Sequence, residues 1–280
     1  TQPKPQKPWP FLVRDFIRGH PVVTIILTIY VVLMVQESSW FYKEILTWYD
    51  DIFRDQLLNN FSLREKLLDE TIGNDDFRFF PLSHQDLHAL SWVTPYIKVW
   101  SLVSAFELIA TIIVGCKLIE RVNKNSTSAS LILMGTLLFL FTSASAYNYF
   151  QFIYSERFLT FLLALYAYHY CVYLDSGQLR NGRLALLFAL FIPFFKDTAV
   201  LLAVVPAATT IVAGSLGAMP SRPRWRSTKP SQWLTLYALD IAIVSLSLFF
   251  LASFAILSAL PSLAADVPRY DAHLGFSVLA

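Results

Sequence analysis

The chain has 280 residues, of which 55% are hydrophobic and only 15% are charged. Soluble globular domains carry charges at about a quarter of their positions, so this composition argues against a soluble domain and indicates an integral membrane protein. The formal net charge of +2 is too small to indicate a nucleic-acid-binding protein.

Apolar runs recur along the whole chain, and several approach or exceed the roughly 18–20 residues that cross a hydrocarbon core of about 30 Å. We therefore predict an all-α polytopic membrane protein with about seven transmembrane helices. The predicted spans, in chain order, are residues 22–36, 97–119, 129–146, 158–174, 184–195, 199–216 and 233–260. Both cysteines, Cys116 and Cys171, fall within these spans, so no disulfide framework is expected.

Lysine and arginine residues mark one side of the predicted bundle. Short loops rich in these residues stay in the cytoplasm, and the basic segments 1–21, 117–128, 175–183 and 217–232 all agree on one orientation. The N-terminus is then cytoplasmic. The outer segments, periplasmic in a bacterium or luminal in a eukaryote, are 37–96, 147–157, 196–198 and the tail 261–280. The bacterial inner membrane is the compartment that we expect.

The outer segment 37–96 is too polar to cross a membrane, yet it is patterned. Phe41, Ile45, Trp48 and Ile52 recur at helical spacing, which predicts an amphipathic helix lying in the membrane interface. A second short helix is predicted over residues 57–70, where Ser62 and Glu65 fit a capping box.

The first charged string is Asp50-Asp51-Ile52-Phe53-Arg54, in this outer segment. A carboxylate at a dry membrane boundary can act as the general base that an acceptor hydroxyl needs. Arg54 could pair with Asp50, four positions earlier, or face a phosphate. The alternative is a solvated face of an interfacial helix.

The second charged string is Arg78-Phe79-Phe80-Pro81-Leu82. Arginine suits phosphate because its planar fork binds two oxygens at once. His84 and His88 follow, with Asp86 between them, but no further ligand completes a metal site nearby. Surface or capping histidines are therefore the expected interpretation.

The third charged string, Lys196-Asp197, lies in a turn between two predicted spans. Lys196 could neutralise an anionic leaving group, helped by the positive end of the following helix. A simple membrane-edge turn is the alternative. Glu156 and Arg157 mark another outer turn and could line the same cavity.

Three ionisable residues fall within the predicted spans: Glu107, His169 and Asp240. Such groups usually face a bundle interior or a cavity, and they could belong to a proton relay in a transporter. No intramembrane Lys or Arg is predicted to pair with them.

In this order and on this side of the membrane, the three strings resemble motifs of the GT-C superfamily of membrane glycosyltransferases, which use a sugar carried on a polyprenyl phosphate. The resemblance rests on Tyr49-Asp50-Asp51-Ile52-Phe53-Arg54, on Arg78-Phe79-Phe80-Pro81-Leu82 and on Lys196-Asp197, where Lys-Glu is more common. It implies a transmembrane module over residues 22–260, including the loop 37–96, between a cytoplasmic segment 1–21 and an outer tail 261–280. The natural chain could extend beyond either end.

The resemblance implies that an acceptor hydroxyl attacks the anomeric carbon of the donor sugar, with Asp51 or Asp50 taking the proton and Lys196 with Arg78 stabilising the departing phosphate. The implied residues are catalytic (Asp51, Asp50), phosphate-binding (Lys196, Arg78, Arg54, Arg157) and supporting (Asp197, Glu156, His84). The implied partners are the polyprenyl-phosphate donor, a glycan, lipid or protein acceptor and the lipid bilayer. No metal or other cofactor and no nucleic acid are predicted.

Two other classes of protein fit the same pattern. A transporter or flippase of lipid-linked saccharides would use an anionic-lipid pocket without breaking a bond, and Glu107, His169 and Asp240 would then matter more than the outer loop. A non-catalytic membrane subunit would tolerate the loss of every outer acid.

Overall fold

The computed structural model describes residues 9–38, 79–83, 85–94, 96–123, 129–151, 154–218 and 229–264, and the regular structure in these ranges is helical. The chain forms two compact units. The first comprises residues 1–61 and 84–185, and the second comprises residues 62–83 and 186–280.

The first unit contains seven complete helices in its described part, all of them joined by short breaks or by segments outside the description. They are α1 (Trp9–Gly19), α2 (Pro21–Glu37), α3 (Gln85–Val93), α4 (Ile97–Val122), α5 (Ala129–Leu140), α6 (Ser143–Phe150) and α7 (Glu156–Ser176). Local chemistry fixes several of the ends. Pro21 suits the first helical position of α2 because its missing N–H would be unsatisfied there anyway. Gly177 ends α7 in the left-handed region, with φ of 67°.

Helix α1 meets α2 at a sharp angle: the segments Val13–Gly19 and Pro21–Glu37 are bent by 112°. Phe16 is buried in the core of the unit, whereas Arg18 on the same helix is exposed. At the bend, His20 Nε2 lies 3.2 Å from Glu120 Oε1, on the last turn of α4.

The opposite end of α2 is closed by residues at the start of α4. Lys98 Nζ donates hydrogen bonds to the carbonyl oxygens of Val35 (2.8 Å) and Gln36 (2.7 Å), which satisfies acceptors that a helix leaves unpaired at its end. The hydroxyls of Ser38 and Ser101 also bond to each other. The C-terminal end of α2 and the start of α4, which are far apart in sequence, are thereby held together.

Helix α8 (Leu179–Phe195) passes from the first unit into the second. The second unit continues with a 3-10 turn, helices and a π-helical turn: Asp197–Ala199, α9 (Val200–Leu216), α10 (Pro230–Leu236), α11 (Ala238–Phe254), Ala255–Ala259 and α12 (Leu260–Ala264).

Four helical stretches in the described ranges are long and apolar enough to cross a membrane, and two bent pairs raise the number to six if each pair is one span. The four are Lys98–Val122, Glu156–Ser176, Asp197–Leu216 and Ala238–Leu263. The protein is thus a helical multi-pass membrane protein, and the described ranges do not confirm the predicted number of seven spans. The predicted span 184–195 lies in α8, whose 17 residues extend about 26 Å, which is short of the hydrocarbon thickness of about 30 Å.

Gly214 allows α9 to approach the start of α11 closely. A Cβ atom at this position would overlap the Tyr237 hydroxyl and lie 3.0 Å from Tyr237 Cζ. Tyr237 is fully buried, so its ring cannot move into solvent to make room.

We expect Gly214→Ala to destabilise the protein by about 1–3 kcal/mol, because the added methyl group overpacks a filled interior. Thermal unfolding in detergent micelles, followed by circular dichroism, measures the loss. Gly115→Ala is the matched control, since nothing lies within 4 Å of a Cβ there. Tyr237→Phe should restore part of the loss in the Gly214→Ala background; an equal response of both glycines would contradict this packing.

Candidate functional site

Five of the predicted site residues lie outside the described part of the chain: Asp50, Asp51, Arg54, Arg78 and His84. The structure does describe the last four residues of the second charged string, both residues of the third, and Glu156 with Arg157.

Residues 79–83 form a tight turn that follows directly after Arg78. Ser83 N donates to Phe80 O at 2.9 Å, which closes a four-residue turn with Pro81 at its second position, where the fixed φ of proline is favourable. The proline in the string therefore has a conformational role.

This turn is docked on the end of α8. Leu82 N donates to Phe194 O at 2.9 Å. The Phe79 side chain, only 3% exposed, packs against the rings of Phe194 and Phe250, with centroid distances of 6.1 and 5.6 Å, and Val200 joins the same cluster. The second string is thus held against the residues that immediately precede the third string.

The third string forms the break between α8 and α9. Lys196 has an extended backbone and an exposed side chain. Asp197 Oδ1 accepts a hydrogen bond from Thr198 N at 2.6 Å, and Ala199 N donates to Lys196 O at 2.9 Å. Asp197 therefore shapes the turn that leads into α9.

Two features near the start of α9 are of the kind that favours an anion. An exposed lysine precedes the positive end of a helix that is 17 residues long, and both features favour an anion such as phosphate. Arg78 immediately precedes the docked turn in the sequence.

Arg157 occupies a different environment, inside the first unit. It is 2% exposed and its Nη2 donates a hydrogen bond to Asp86 Oδ2, on the first turn of α3. Its Nε lies 3.2 Å from Glu107 Oε2, on α4. We call Asp86, Glu107 and Arg157 the buried charge cluster.

This cluster corrects one expectation from the sequence. Glu107 was predicted to have no basic partner within the membrane, and that prediction is wrong because Arg157 reaches it. The helix boundary explains the error: α7 begins at Glu156, two residues before the predicted span, so Arg157 lies in its first turn. The apolar run after residue 157 gave no signal for this shift, since charged residues are usual at a helix end.

The other polar groups predicted at membrane depth have separate surroundings. In the first unit, His169 Nδ1 lies 2.9 Å from Asn181 Oδ1, and Asn181 Nδ2 donates to Gln178 Oε1 at 2.8 Å. In the second unit, Asp240 is fully buried on the first turn of α11. Glu156 is half-buried, and its carbonyl oxygen accepts a bond from Thr160 Oγ1 at 2.6 Å.

No group of three or more His, Cys, Asp or Glu side chains arranged to hold a metal ion occurs within the described ranges. No protein-family model, curated protein or solved structure matches the chain. The functional interpretation therefore depends on the residues themselves, and the resemblance to GT-C glycosyltransferases stays a prediction.

We expect Arg157→Gln to destabilise the protein by about 3–5 kcal/mol, because it removes the basic partner of the buried acids Asp86 and Glu107 and leaves the Asp86 carboxylate without a counter-charge. Arg121→Gln is the matched control. Arg121 Nε also contacts a carboxylate, Asp175, at 2.8 Å, but that pair is 31% and 47% exposed, so its loss should change stability by about 0–1 kcal/mol. Thermal unfolding of the two variants in the same detergent makes the comparison, and equal losses would show that burial of the cluster has no energetic weight.

Proposed function

We propose that the protein is a membrane glycosyltransferase that moves a sugar from a polyprenyl-phosphate donor to an acceptor hydroxyl. The observation that carries this proposal is the docking of the turn 79–83 on the end of α8, through the Leu82–Phe194 hydrogen bond and the Phe79 ring. Two strings that are far apart in sequence, each with a cation beside an aromatic pair, meet in one unit. Such a convergence is useful when both cations serve a single anionic ligand.

The ligand that fits best is the phosphate of a lipid carrier. Arg78 would offer its two-pronged donor set to the phosphate oxygens, and Lys196 would add a mobile charge at the N-terminal end of α9. Arg54 is a further candidate from the first string. We do not include Arg157 among the phosphate ligands, because its guanidinium contacts the carboxylates of Asp86 and Glu107.

The proposed reaction has one bond made and one broken. Asp51 or Asp50 takes the proton of the acceptor hydroxyl, and the resulting oxygen attacks the anomeric carbon. The bond between that carbon and the phosphate oxygen breaks, and polyprenyl phosphate leaves with the electron pair. Donors placed where this negative charge develops are each worth about 3–4 kcal/mol in known enzymes.

The lipid-exposed surface agrees with a lipid-linked donor. Helices α9 and α11 carry large exposed apolar side chains, among them Leu201, Val205 and Phe249, which suit contact with lipid chains. In the proposed orientation the N-terminus is cytoplasmic and the site faces the periplasm or lumen, with the bacterial inner membrane as the expected location.

A transporter or flippase of lipid-linked saccharides is the second candidate, and the buried charge cluster favours it, since ionisable groups at membrane depth often belong to ion pathways. The two candidates differ in product. A transferase yields a new glycosidic bond and free polyprenyl phosphate, whereas a flippase moves the intact lipid between leaflets and would respond to a proton gradient if the cluster drives it.

We expect Asp51→Asn or Asp50→Asn to lower transfer by two orders of magnitude or more, consistent with the usual contribution of a general base. The assay follows label from a panel of polyprenyl-phosphate hexoses into membrane acceptors, with the chain reconstituted in vesicles. Asp55→Asn is the matched control in the same segment and should retain transfer. Full activity of both single variants would remove the proposed base, and flipping of the intact lipid without any transfer by the parent protein would favour the transporter.

We expect Lys196→Ala to weaken binding of polyprenyl phosphate by roughly tenfold to a hundredfold, because one charge-assisted contact contributes about 1.5–3 kcal/mol. Native mass spectrometry or a ligand-dependent thermal shift measures the affinity, and uncharged polyprenol serves as the ligand control. Lys196→Arg should keep most of the affinity, and Lys229→Ala, at another exposed helix start, should keep all of it. Equal affinity of Lys196→Ala and the parent protein would leave Lys196 as a structural part of the turn.

A further inference from the structure

We propose that the buried charge cluster is a proton-binding site, and that Glu107 carries the proton in the resting protein. The inference does not depend on glycosyl transfer, because the cluster lies in the first unit and uses none of the three charged strings. Its three side chains come from three helices: Asp86 from α3, Glu107 from α4 and Arg157 from α7.

The argument begins with the charge count. The cluster has two carboxylates and one guanidinium, and the three side chains are 12%, 7% and 2% exposed. An uncompensated charge inside an apolar bundle is strongly unfavourable. One bound proton would bring the net charge of the cluster from −1 to zero.

The hydrogen bonds distinguish the two acids. Arg157 Nη2 donates to Asp86 Oδ2, so Asp86 is the acid that uses the positive charge directly. Glu107 Oε2 is 3.2 Å from Arg157 Nε, a longer contact that falls short of full hydrogen-bond geometry, and Asp86 Oδ1 likewise has no hydrogen-bond partner among the described residues. The acid with the poorer contact is the better site for a proton.

Among the described side chains, no second basic group acts on the Glu107 carboxyl. Arg157 and Asp86 are the ionisable groups in the described ranges that act on the Glu107 carboxyl. Helix α6 adds the Tyr149 phenol, and α2 adds Tyr30 close to it; both are neutral near pH 7 in their ordinary state. Helix α5, which also packs on α4, contains no ionisable side chain.

Binding and release of this proton would act on an outer-loop helix. When Glu107 is protonated, Asp86 alone balances Arg157, and the first turn of α3 is tied firmly to α7. When the proton leaves, two carboxylates share one guanidinium. The proposed site therefore binds a proton. Helix α3 would respond, because its contact with α7 through Asp86 and Arg157 changes in strength when the proton binds or leaves.

Infrared spectroscopy tests the proposal on the full chain, made by cell-free synthesis with isotope-labelled glutamate and placed in lipid nanodiscs. At neutral pH we expect a carbonyl band of a protonated glutamate that shifts with the label. The band should be lost in Glu107→Gln. It should remain in Glu120→Gln, the matched control, because Glu120 Oε2 lies 2.7 Å from Lys117 Nζ and its Oε1 lies near His20.

Asp86→Asn provides a second and independent test, because it leaves one acid for one guanidinium. Glu107 should then ionise, and the labelled band should disappear although Glu107 is still present. Absence of the band in the parent protein, or its survival in either Glu107→Gln or Asp86→Asn, would overturn the proposal. Loss of glycosyl transfer in the Asp51 variant has no bearing on this result.

Discussion

Arg157 is the residue on which the order of the first unit depends, because it joins α7 to α3 and α4 through two carboxylates. A guanidinium so deeply buried is stable only while its partners remain. The helices that contain the partners must therefore keep their relative positions. In an apolar bundle, where dispersion contacts alone allow helices to slide, these directional contacts specify one arrangement.

The second unit is ordered by a different principle. A backbone hydrogen bond from Leu82 and an aromatic cluster centred on Phe79 attach a short turn to the end of α8. No charge is buried in this contact. Two cations flank this contact in sequence, Arg78 before the turn and Lys196 at the break before α9, and they are the chemical basis of the proposed phosphate site.

Much of the fold follows from apolar periodicity. The runs near residues 97–119, 158–174, 199–216 and 233–260 became long helices, since a long apolar run has few alternatives to a helix in lipid. The predicted span 184–195 lies within α8, a helix of 17 residues with polar residues at its start, and its role as a span is not confirmed. The predicted span 129–146 is bent by 64° between α5 and α6, so it counts as a span only if the bent pair crosses the membrane as one.

The contacts that form the candidate site were harder to predict from the sequence than the helices. The string after Arg78 and the pair at Lys196 could be recognised by composition. Their contact through Leu82 and Phe194 could not be predicted, because a backbone hydrogen bond does not depend on which side chains are present. The Glu107–Arg157 pair was missed for a related reason: its members are fifty positions apart, and neither position alone marks a partner. The division into two units is likewise hard to predict from periodicity, since one of its boundaries, between residues 185 and 186, falls within α8.

The contacts at the C-terminal end of α2 have a consequence for the sequence changes that this chain can tolerate. The Ser38 hydroxyl bonds to that of Ser101, and Lys98 donates to carbonyl oxygens at the end of α2. Phe79 packs in the aromatic cluster with Phe194 and Phe250. Residues 39–78 lie between these two attachments in the sequence. Because each doubling of the length of a connecting segment adds only about 0.6 kcal/mol of closure entropy, a change in the length of that stretch would add little to the entropic cost of folding.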